Sequence, residues 1–403
     1  MRRHTLRMSQ RDINRFLVVN CLREKRQLSR IDLARELGLT PAAITHITSD
    51  LIREGYIRES GSGRSSRGRK PVLLELNSSA AYAIGVDLQH LDRLSASIVN
   101  LECELLWRVE RSIPETNLSA IVAEIQLAVE ELLAVANLPR EAIFGVGVSF
   151  PGIVDYESGT VILAANLDWE NVPLRSRIQK SLGMLTYVDN ESNVAALGEY
   201  WYGHNHKQQD FVYISVGRGI GSGLILGGQV YRGIQGAAGE FGHMIVQPNG
   251  PLCRCGAHGC LEAFVAEPAV LTWVASQLQG QKSSRMSAAP QRPRELYEAA
   301  NAGDPLAAEA IRYMGHYLGI GIASLINLLN PEAVIIGGSV WRVIDLLLEQ
   351  VRRTVADNVV TTKGKETQII PSSLGADTAM VGAATLVLEE VFQAPIFQPN
   401  TAV

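Results

Sequence analysis

Cysteine is scarce in this chain and is not spread as a disulfide framework would be. Only five of the 403 residues are cysteine. Cys21 and Cys103 stand alone, so the bridge network of a small secreted domain is not expected. Long apolar runs are missing as well: no stretch of about 18 apolar residues is available to cross a bilayer. The first residues, MRRHTLRMSQRD, carry charge but no apolar core followed by a small-residue cleavage site, which argues against a secretory leader. Together these absences lead us to expect a cytoplasmic protein without membrane insertion.

What is present allows sizeable cores. The chain is 46% hydrophobic, and its length suits two or three domains. Its net charge of −4 conceals an asymmetry. Residues 1–77 hold 16 Lys and Arg against 8 Asp and Glu, a net of +8, which leaves −12 for the remainder. A basic N-terminal segment on an acidic body suggests that the first part meets a polyanion.

That segment has the pattern of a helix-turn-helix. Ile13, Phe16, Leu17 and Cys21 recur at helical spacing in a first helix. Ser29 is placed to cap a second helix carrying Ile31, Leu33, Ala34 and Leu37, which Gly38 ends. Thr40 is placed to cap a third, with Pro41 at its first position. This helix turns Ile44, Ile47, Leu51 and Ile52 inward and leaves Pro41, Ala42, Thr45, His46 and Ser49 outward. Small side chains permit close approach to base edges, and the polar ones can hydrogen-bond bases or phosphates. The following RESGSGRSSRGRKPVLLELN has the character of a β-hairpin wing, its tip carrying Arg64, Arg67, Arg69 and Lys70. Such arginines suit phosphate contact or a narrow minor groove, although the same composition also fits a solvated linker.

From Ala81 onward the pattern is α/β. AYAIGVDL, RLSASIVNL and ECELLWRVERSI are three successive strands by pattern. The amphipathic helix LSAIVAEIQLAVEELLAVA follows, then the buried strand AIFGVGVSFPGIVD with its Pro-Gly turn. The order recurs later: FVYISVGRGIGSGLILGG, QVYRGIQG and AVIIGGSV are glycine-punctuated strands, and AAEAIRYMGHYLGIGIASLINLLN is a long apolar helix. Two related lobes follow from this recurrence. Residues 281–293 are polar and expected to be an exposed loop. Cys253, Cys255 and Cys260 fall in eight residues, with His243 ten positions before the first. Three thiolates and one imidazole complete a tetrahedral zinc set with no place for water, which predicts a structural ion. His258 is an alternative ligand, crowded by the thiolates on either side. Glu240 and Glu262 flank the knot, so the metal would fix two carboxylates relative to each other.

The stretches PGIVD, NLDWENVPL, DNESNVAALGEYWYG, GRGIGSGLILGG, RGIQGAAGEFGH, CRCGAHGCLE and INLLNPEAVIIGGSV together resemble the ROK family of repressors and sugar kinases. With the N-terminal segment included, the whole chain is similar to a ROK-type transcriptional repressor. The resemblance implies a winged helix-turn-helix at 1–77 followed by a duplicated actin–hexokinase-like (RNase H-type) two-lobed domain. Its lobes would run over 78–190, joined by a C-terminal helix at 376–395, and over 191–375. It further implies a sugar held in the inter-lobe cleft by Asn166, Asn190, Glu191, Glu240, His243 and Glu262. One His243 nitrogen would face the metal and the other the sugar, in either order.

The phosphate-binding pattern of family kinases is missing. From Asp87 the chain reads DLQHLD, with Gln89 in place of a glycine and Leu91 in place of a threonine. Gly217-Arg218-Gly219 carries Arg where kinases have Thr. Asn190-Glu191-Ser192-Asn193 puts Glu in the position of the catalytic aspartate. The longer side chain moves the carboxylate about 1.5 Å, a displacement that can cost on the order of a hundredfold in rate. The expected protein is therefore no enzyme. It is a sugar-responsive repressor binding operator DNA as a homodimer or homotetramer. The alternatives are an ATP-dependent sugar kinase with a DNA-binding extension and a repressor controlled by a protein partner.

Overall fold

The computed structural model describes residues 9–62, 70–203, 208–280 and 282–393. The chain divides into two compact units, one of residues 1–151, 156–189 and 383–403, the other of residues 152–155 and 190–382.

Unit one opens with a small basic head. Helix α1 (Gln10–Lys25) begins at Ser9, whose hydroxyl accepts from the Asp12 amide while the Asp12 carboxylate takes the Ser9 amide, a reciprocal cap. Strand β1 (Gln27–Ser29), helix α2 (Arg30–Leu37) and helix α3 (Pro41–Arg53) follow. Ser29 and Thr40 cap α2 and α3 through the amides of Asp32 and Ala43, and Gly38 closes α2 in the left-handed region at φ 63°. Strands β2 (Ile57–Ser62) and β3 (Val72–Leu76) pair antiparallel, and β1 adds to β3 to give the order β1-β3-β2. The wing tip with Arg64, Arg67 and Arg69 lies outside the described residues.

The buried face of α1 differs from the one predicted. Val18, Val19, Cys21 and Leu22 are buried, whereas Ile13, Phe16 and Leu17 are only half-buried. The run FLVV is apolar on every side, so spacing alone does not phase it, and packing against α2, α3 and β3 selects the face. Ile31 is likewise 71% exposed on the first turn of α2. On α3, Ile44, Ile47 and Leu51 are buried as predicted and Ile52 is half-buried.

The rest of unit one is built on β4 (Tyr82–Asp87), β5 (Arg93–Asn100), β6 (Leu105–Ser112), α4 (Leu118–Ala136) and β7 (Ile143–Phe150). Strand β6 starts later than the pattern suggested, because Asn100 Oδ1 accepts the amides of Glu102 and Glu104 and curls the chain into a turn through Cys103 at φ 58°. Strand β8 (Ile153–Asp155) belongs to unit two. Unit one continues with the antiparallel pair β9 (Thr160–Ala164) and β10 (Trp169–Val172), α5 (Leu174–Leu182) and β11 (Thr186–Asn190).

Unit two contains α6 (Glu191–Tyr202), β12 (Phe211–Val216), β13 (Ile220–Leu226), β14 (Gln229–Val230), α7 (Glu262–Val265), α8 (Glu267–Gln279), α9 (Pro293–Asn301) and α10 (Pro305–Leu329). Strand β15 (Ala333–Gly338), α11 (Ile344–Asn358), α12 (Thr362–Lys365), β16 (Gln368–Pro371) and α13 (Thr378–Gln393) complete the chain. Of QVYRGIQG only the first two residues are strand; Gly233 at φ 64° and Gln235 at φ 56° turn the rest away from extended backbone. The described part of the predicted loop, 282–292, is irregular, and it is pinned where Asp304 Oδ2 accepts from Ser284 Oγ and the Arg285 amide.

The two mixed sheets share one plan. Their orders are β11-β7-β4-β5-β6 and β16-β15-β12-β13-β14. In each, the first strand pairs antiparallel with its hairpin partner (β4 with β5, β12 with β13) and parallel with the strand on its other side (β7 or β15). The recurrence read from the sequence is this repeated topology. The main core of unit two lies between its sheet and α10 and α11, around Val212, Ile214, Leu318, Ile322, Val334 and Leu347.

Candidate functional site

Two glycine-punctuated segments and one helix bring most of the candidate polar groups into unit two. Asn190 ends β11 and caps α6: its Oδ1 accepts the amides of Ser192 and Asn193, and its Nδ2 donates to the Gly152 carbonyl at 2.9 Å. Glu191 is the first residue of α6, where the helix dipole favours its charge. Helix α6 packs closely on β13 because Gly223 has no side chain. A Cβ there would lie 2.2 Å from the Ser192 carbonyl and 2.7 Å from Ala196 Cβ. Part of the glycine pattern therefore serves helix–sheet approach.

Glu240, His243 and Glu262 gather beside the cysteine knot. His243 Nδ1 lies 3.7 Å from Cys253 Sγ, while Nε2 faces Glu240 Oε2 at 3.9 Å. The two ring nitrogens thus face a thiol and a carboxylate respectively. Desolvation, with Glu262 adding repulsion and His243 opposing, pushes the Glu240 carboxyl above its ordinary range. Glu262 Oε2 accepts the Ile220 amide at 3.0 Å and Oε1 faces Arg254 at 3.5 Å. Asn166 belongs to unit one, exposed on the turn between β9 and β10.

The knot fits a metal by its donors. The ligand atoms of His243, Cys253, Cys255 and Cys260 all lie within 4.8 Å of one another, and Cys255 and Cys260 are 3.7 Å apart. Tetrahedral bonds of zinc length put ligand atoms about 3.6–3.8 Å apart. His258 is not in this cluster; its Nδ1 lies 3.0 Å from the Gly250 carbonyl. Gly259, at φ 81°, folds the loop so tightly that a Cβ would lie 1.8 Å from the Gln247 carbonyl oxygen. Burial raises the Cys253 and Cys260 thiols, and the Ala257 amide lowers that of Cys255.

Sequence reasoning missed two neighbours of this site. Arg254, between two candidate ligands, reaches Glu262. Glu267 is buried, accepts from Tyr297 Oη at 3.0 Å and Ser339 Oγ at 2.5 Å, and its amide donates to the Gly217 carbonyl at 2.9 Å. The cysteine spacing pointed toward Arg254; nothing local marked Glu267, whose partners come from distant segments.

On the head, Pro41, Ala42, Thr45, His46 and Ser49 are all exposed along one face of α3, as predicted. Thr45 Oγ1 donates to the Pro41 carbonyl at 2.8 Å, which fixes its rotamer. Lys70, the described member of the wing-tip set, is exposed.

Comparison with known proteins places these features together. The ROK family model matches residues 83–390, and a winged helix-turn-helix DNA-binding model matches residues 11–58. The xylose repressor of Caldicellulosiruptor bescii is 34% identical, over 98% of this chain and 99% of its own. A crystal structure of a ROK family transcriptional regulator, a homologue of the E. coli MLC protein, is similar with a TM-score of 0.83 at 30% identity, covering 95% of this chain and 96% of that one. A ROK family glucokinase from Streptomyces griseus, in complex with glucose and AMPPNP, is similar with a TM-score of 0.66 at 31% identity; it covers 76% of this chain and 99% of its own. The first two relatives extend across the head, and the kinase covers three quarters of the chain. Among the described residues, no helix is long and apolar enough to cross a membrane.

Proposed function

The chain belongs to the ROK family, and we propose that it is a sugar-responsive repressor: its winged head binds operator DNA, and its unit two holds a free sugar. One observation carries this reading. A head with an exposed small-polar recognition face and a ROK body with Glu191, Glu240, His243 and Glu262 occur in the same chain. Carboxylates and an imidazole accept from and donate to sugar hydroxyls, which is the chemistry a polyol demands. Asn166 and Asn190 are the candidate amides of the same reading. The name of the C. bescii relative makes an aldopentose the first sugar to test.

Several features speak against phosphoryl transfer. Gln89 and Leu91 follow the half-buried Asp87, Arg218 stands in the Gly217–Gly219 turn, and Glu191 replaces a shorter carboxylate. The Ile220 amide, at the end of that turn, is engaged by Glu262. We propose zinc for the knot, held by His243, Cys253, Cys255 and Cys260. When bound, it would supply a closed tetrahedral brace and no reactive water. His243 would then have a fixed ring plane, with Nε2 directed to Glu240 and the sugar.

In our reading the sugar prefers the DNA-free state, so DNA must weaken sugar binding by the same factor. The test uses the purified full chain and an operator selected from a random duplex pool. A free sugar, from a panel including xylose, glucose, N-acetylglucosamine and their phosphates, is expected to raise the melting temperature and the Kd for operator together. Glu240→Gln should lose the sugar response and keep DNA binding. Cys260→Ser should lose the metal, measured by mass spectrometry, and lower the melting temperature; full induction without metal would remove the brace from the mechanism. ATP-dependent turnover of a sugar would establish the kinase reading instead. DNA binding with no response to any sugar would favour control by a protein partner.

A further inference from the structure

The recognition helix carries a carboxylate at a surface that must approach phosphates. Asp50 lies on α3 one turn after His46, its side chain only 5% accessible. Two guanidiniums and an imidazole surround it. Arg11 Nη2, from the first turn of α1, is 2.7 Å from Oδ2; Arg53 Nη2 is 2.5 Å from Oδ1; His46 Nε2 is 3.6 Å from Oδ2. Glu54, the next acid along the chain, is paired with Arg15. An isolated buried carboxylate is costly, and here a guanidinium pairs with each of its oxygens. Counting the two arginines against Asp50 leaves the cluster net positive.

The guanidiniums are held without being consumed. Each has five N–H donors in a rigid fork, and one nitrogen of each contacts Asp50. The two side chains remain 59% and 72% accessible. Arg53 continues the face of His46 and Ser49 at positions 46, 49 and 53, a helical i, i+3, i+7 series. Arg11 belongs to a different helix, so its link to Asp50 fixes it beside that face.

We propose that Asp50 is a positioning residue that holds Arg11 and Arg53 as phosphate contacts, extending the DNA interface from α3 onto α1. The proposal rests on the DNA-binding reading of the head. Two roles of Asp50 predict opposite signs. If its charge merely stands near DNA, neutralising it removes a repulsion and tightens binding. If it positions two arginines, neutralising it weakens binding although the head becomes more positive.

The experiment measures binding of the full chain to a non-specific duplex of random sequence from 50 to 300 mM salt, with thermal melting as the folding control. Each phosphate contact contributes about 0.9 to the slope of log affinity against log salt. Arg11→Ala and Arg53→Ala should each flatten the slope by about 0.9, and Asp50→Asn by up to about 1.8 with weaker binding throughout. Arg53→Lys, which keeps charge but not the fork, should retain more of the slope than Arg53→Ala. A folded Asp50→Asn that binds as tightly as the parent or more tightly overturns the proposal, as do arginine variants with the parental slope. If Asp50→Asn does not fold, the two arginine variants decide. A parent chain that binds no duplex at all overturns the DNA-binding reading itself, and this proposal with it.

Discussion

Glu262 shows what a single carboxylate does once its surroundings are known. It follows Cys260-Leu261, so the cysteine motif alone marks it as a neighbour of the knot. In the structure its two oxygens tie the Ile220 amide, at the end of the glycine turn, to Arg254 inside the knot. A Cβ at position 219 would lie 2.8 Å from Glu262 Oε2, so a side chain there would push this carboxylate aside. Glu262→Ala should leave the buried Ile220 amide without an acceptor and destabilise unit two by about 1–3 kcal/mol. Chemical denaturation followed by the fluorescence of Trp273, which lies in that unit, measures this. Glu262→Gln keeps an oxygen for the amide and should cost less. Equal stability of the alanine variant and the parent would show that the contact carries no weight. Asn190 makes the complementary point: its motif suggests a sugar ligand, while its side chain already caps α6 and holds the Gly152 carbonyl.

Among the elements, the wing sheet has a charge clamp that can be titrated. Glu75 sits on the central strand β3, register-paired with Gln27 of β1 and Arg58 of β2. Gln27 Nε2 donates to Oε2 at 2.8 Å and Arg58 Nε to Oε1 at 2.7 Å. Hydrogen bonds from Gln27 first, and then from Arg58, hold the Glu75 carboxyl below the usual glutamate range. A depressed carboxyl contributes stability above its unfolded pKa, about 4.3, and loses that contribution as pH falls through the folded value. Amide exchange in β1 and β2 should therefore accelerate as pH drops below about 4, after correction for intrinsic rates. Glu75→Gln should start from a weaker sheet and lose this additional acid step. An identical acid profile in parent and variant would exclude the clamp. The clamp was not legible in the sequence, because Gln27, Arg58 and Glu75 become neighbours only through strand register. The caps Ser29, Thr40 and Gly38 were legible, since each acts within three or four residues of itself.

At the scale of the whole molecule, α13 is one continuous helix whose residues up to Gly382 belong to unit two and whose residues from Ala383 belong to unit one. Glycines permit close packing on both sides of that boundary. A Cβ on Gly382 would lie 1.9 Å from the Val194 carbonyl, and one on Gly147 would lie 1.7 Å from the Ala383 carbonyl. Its last turn meets the head: Asn20 Nδ2 donates to the Phe392 carbonyl at 3.2 Å, and the Arg23 guanidinium stands 5.5 Å from the Phe392 ring centre. If sugar and DNA are coupled along this helix, the double variant Asn20→Ala, Arg23→Ala should bind sugar with the parental melting shift and release operator less. By reciprocity, DNA should then weaken sugar binding by an equally reduced factor. Calorimetry with and without operator checks both halves; unchanged coupling would place the route elsewhere.

The sequence by itself determined the local and the repeated. Helix caps, the outward face of α3, the duplicated strand order and the cluster of three cysteines and one histidine are written in residues close together or in a recurring pattern, and short-range chemistry is enough to read them. Tertiary structure alone decided which face of α1 is buried and that Ile31 is not in the core. It also directed the two nitrogens of His243 to different partners and set Asp50 between guanidiniums from separate helices. Each of these depends on groups far apart in the chain, where burial and charge have meaning only after the neighbours arrive.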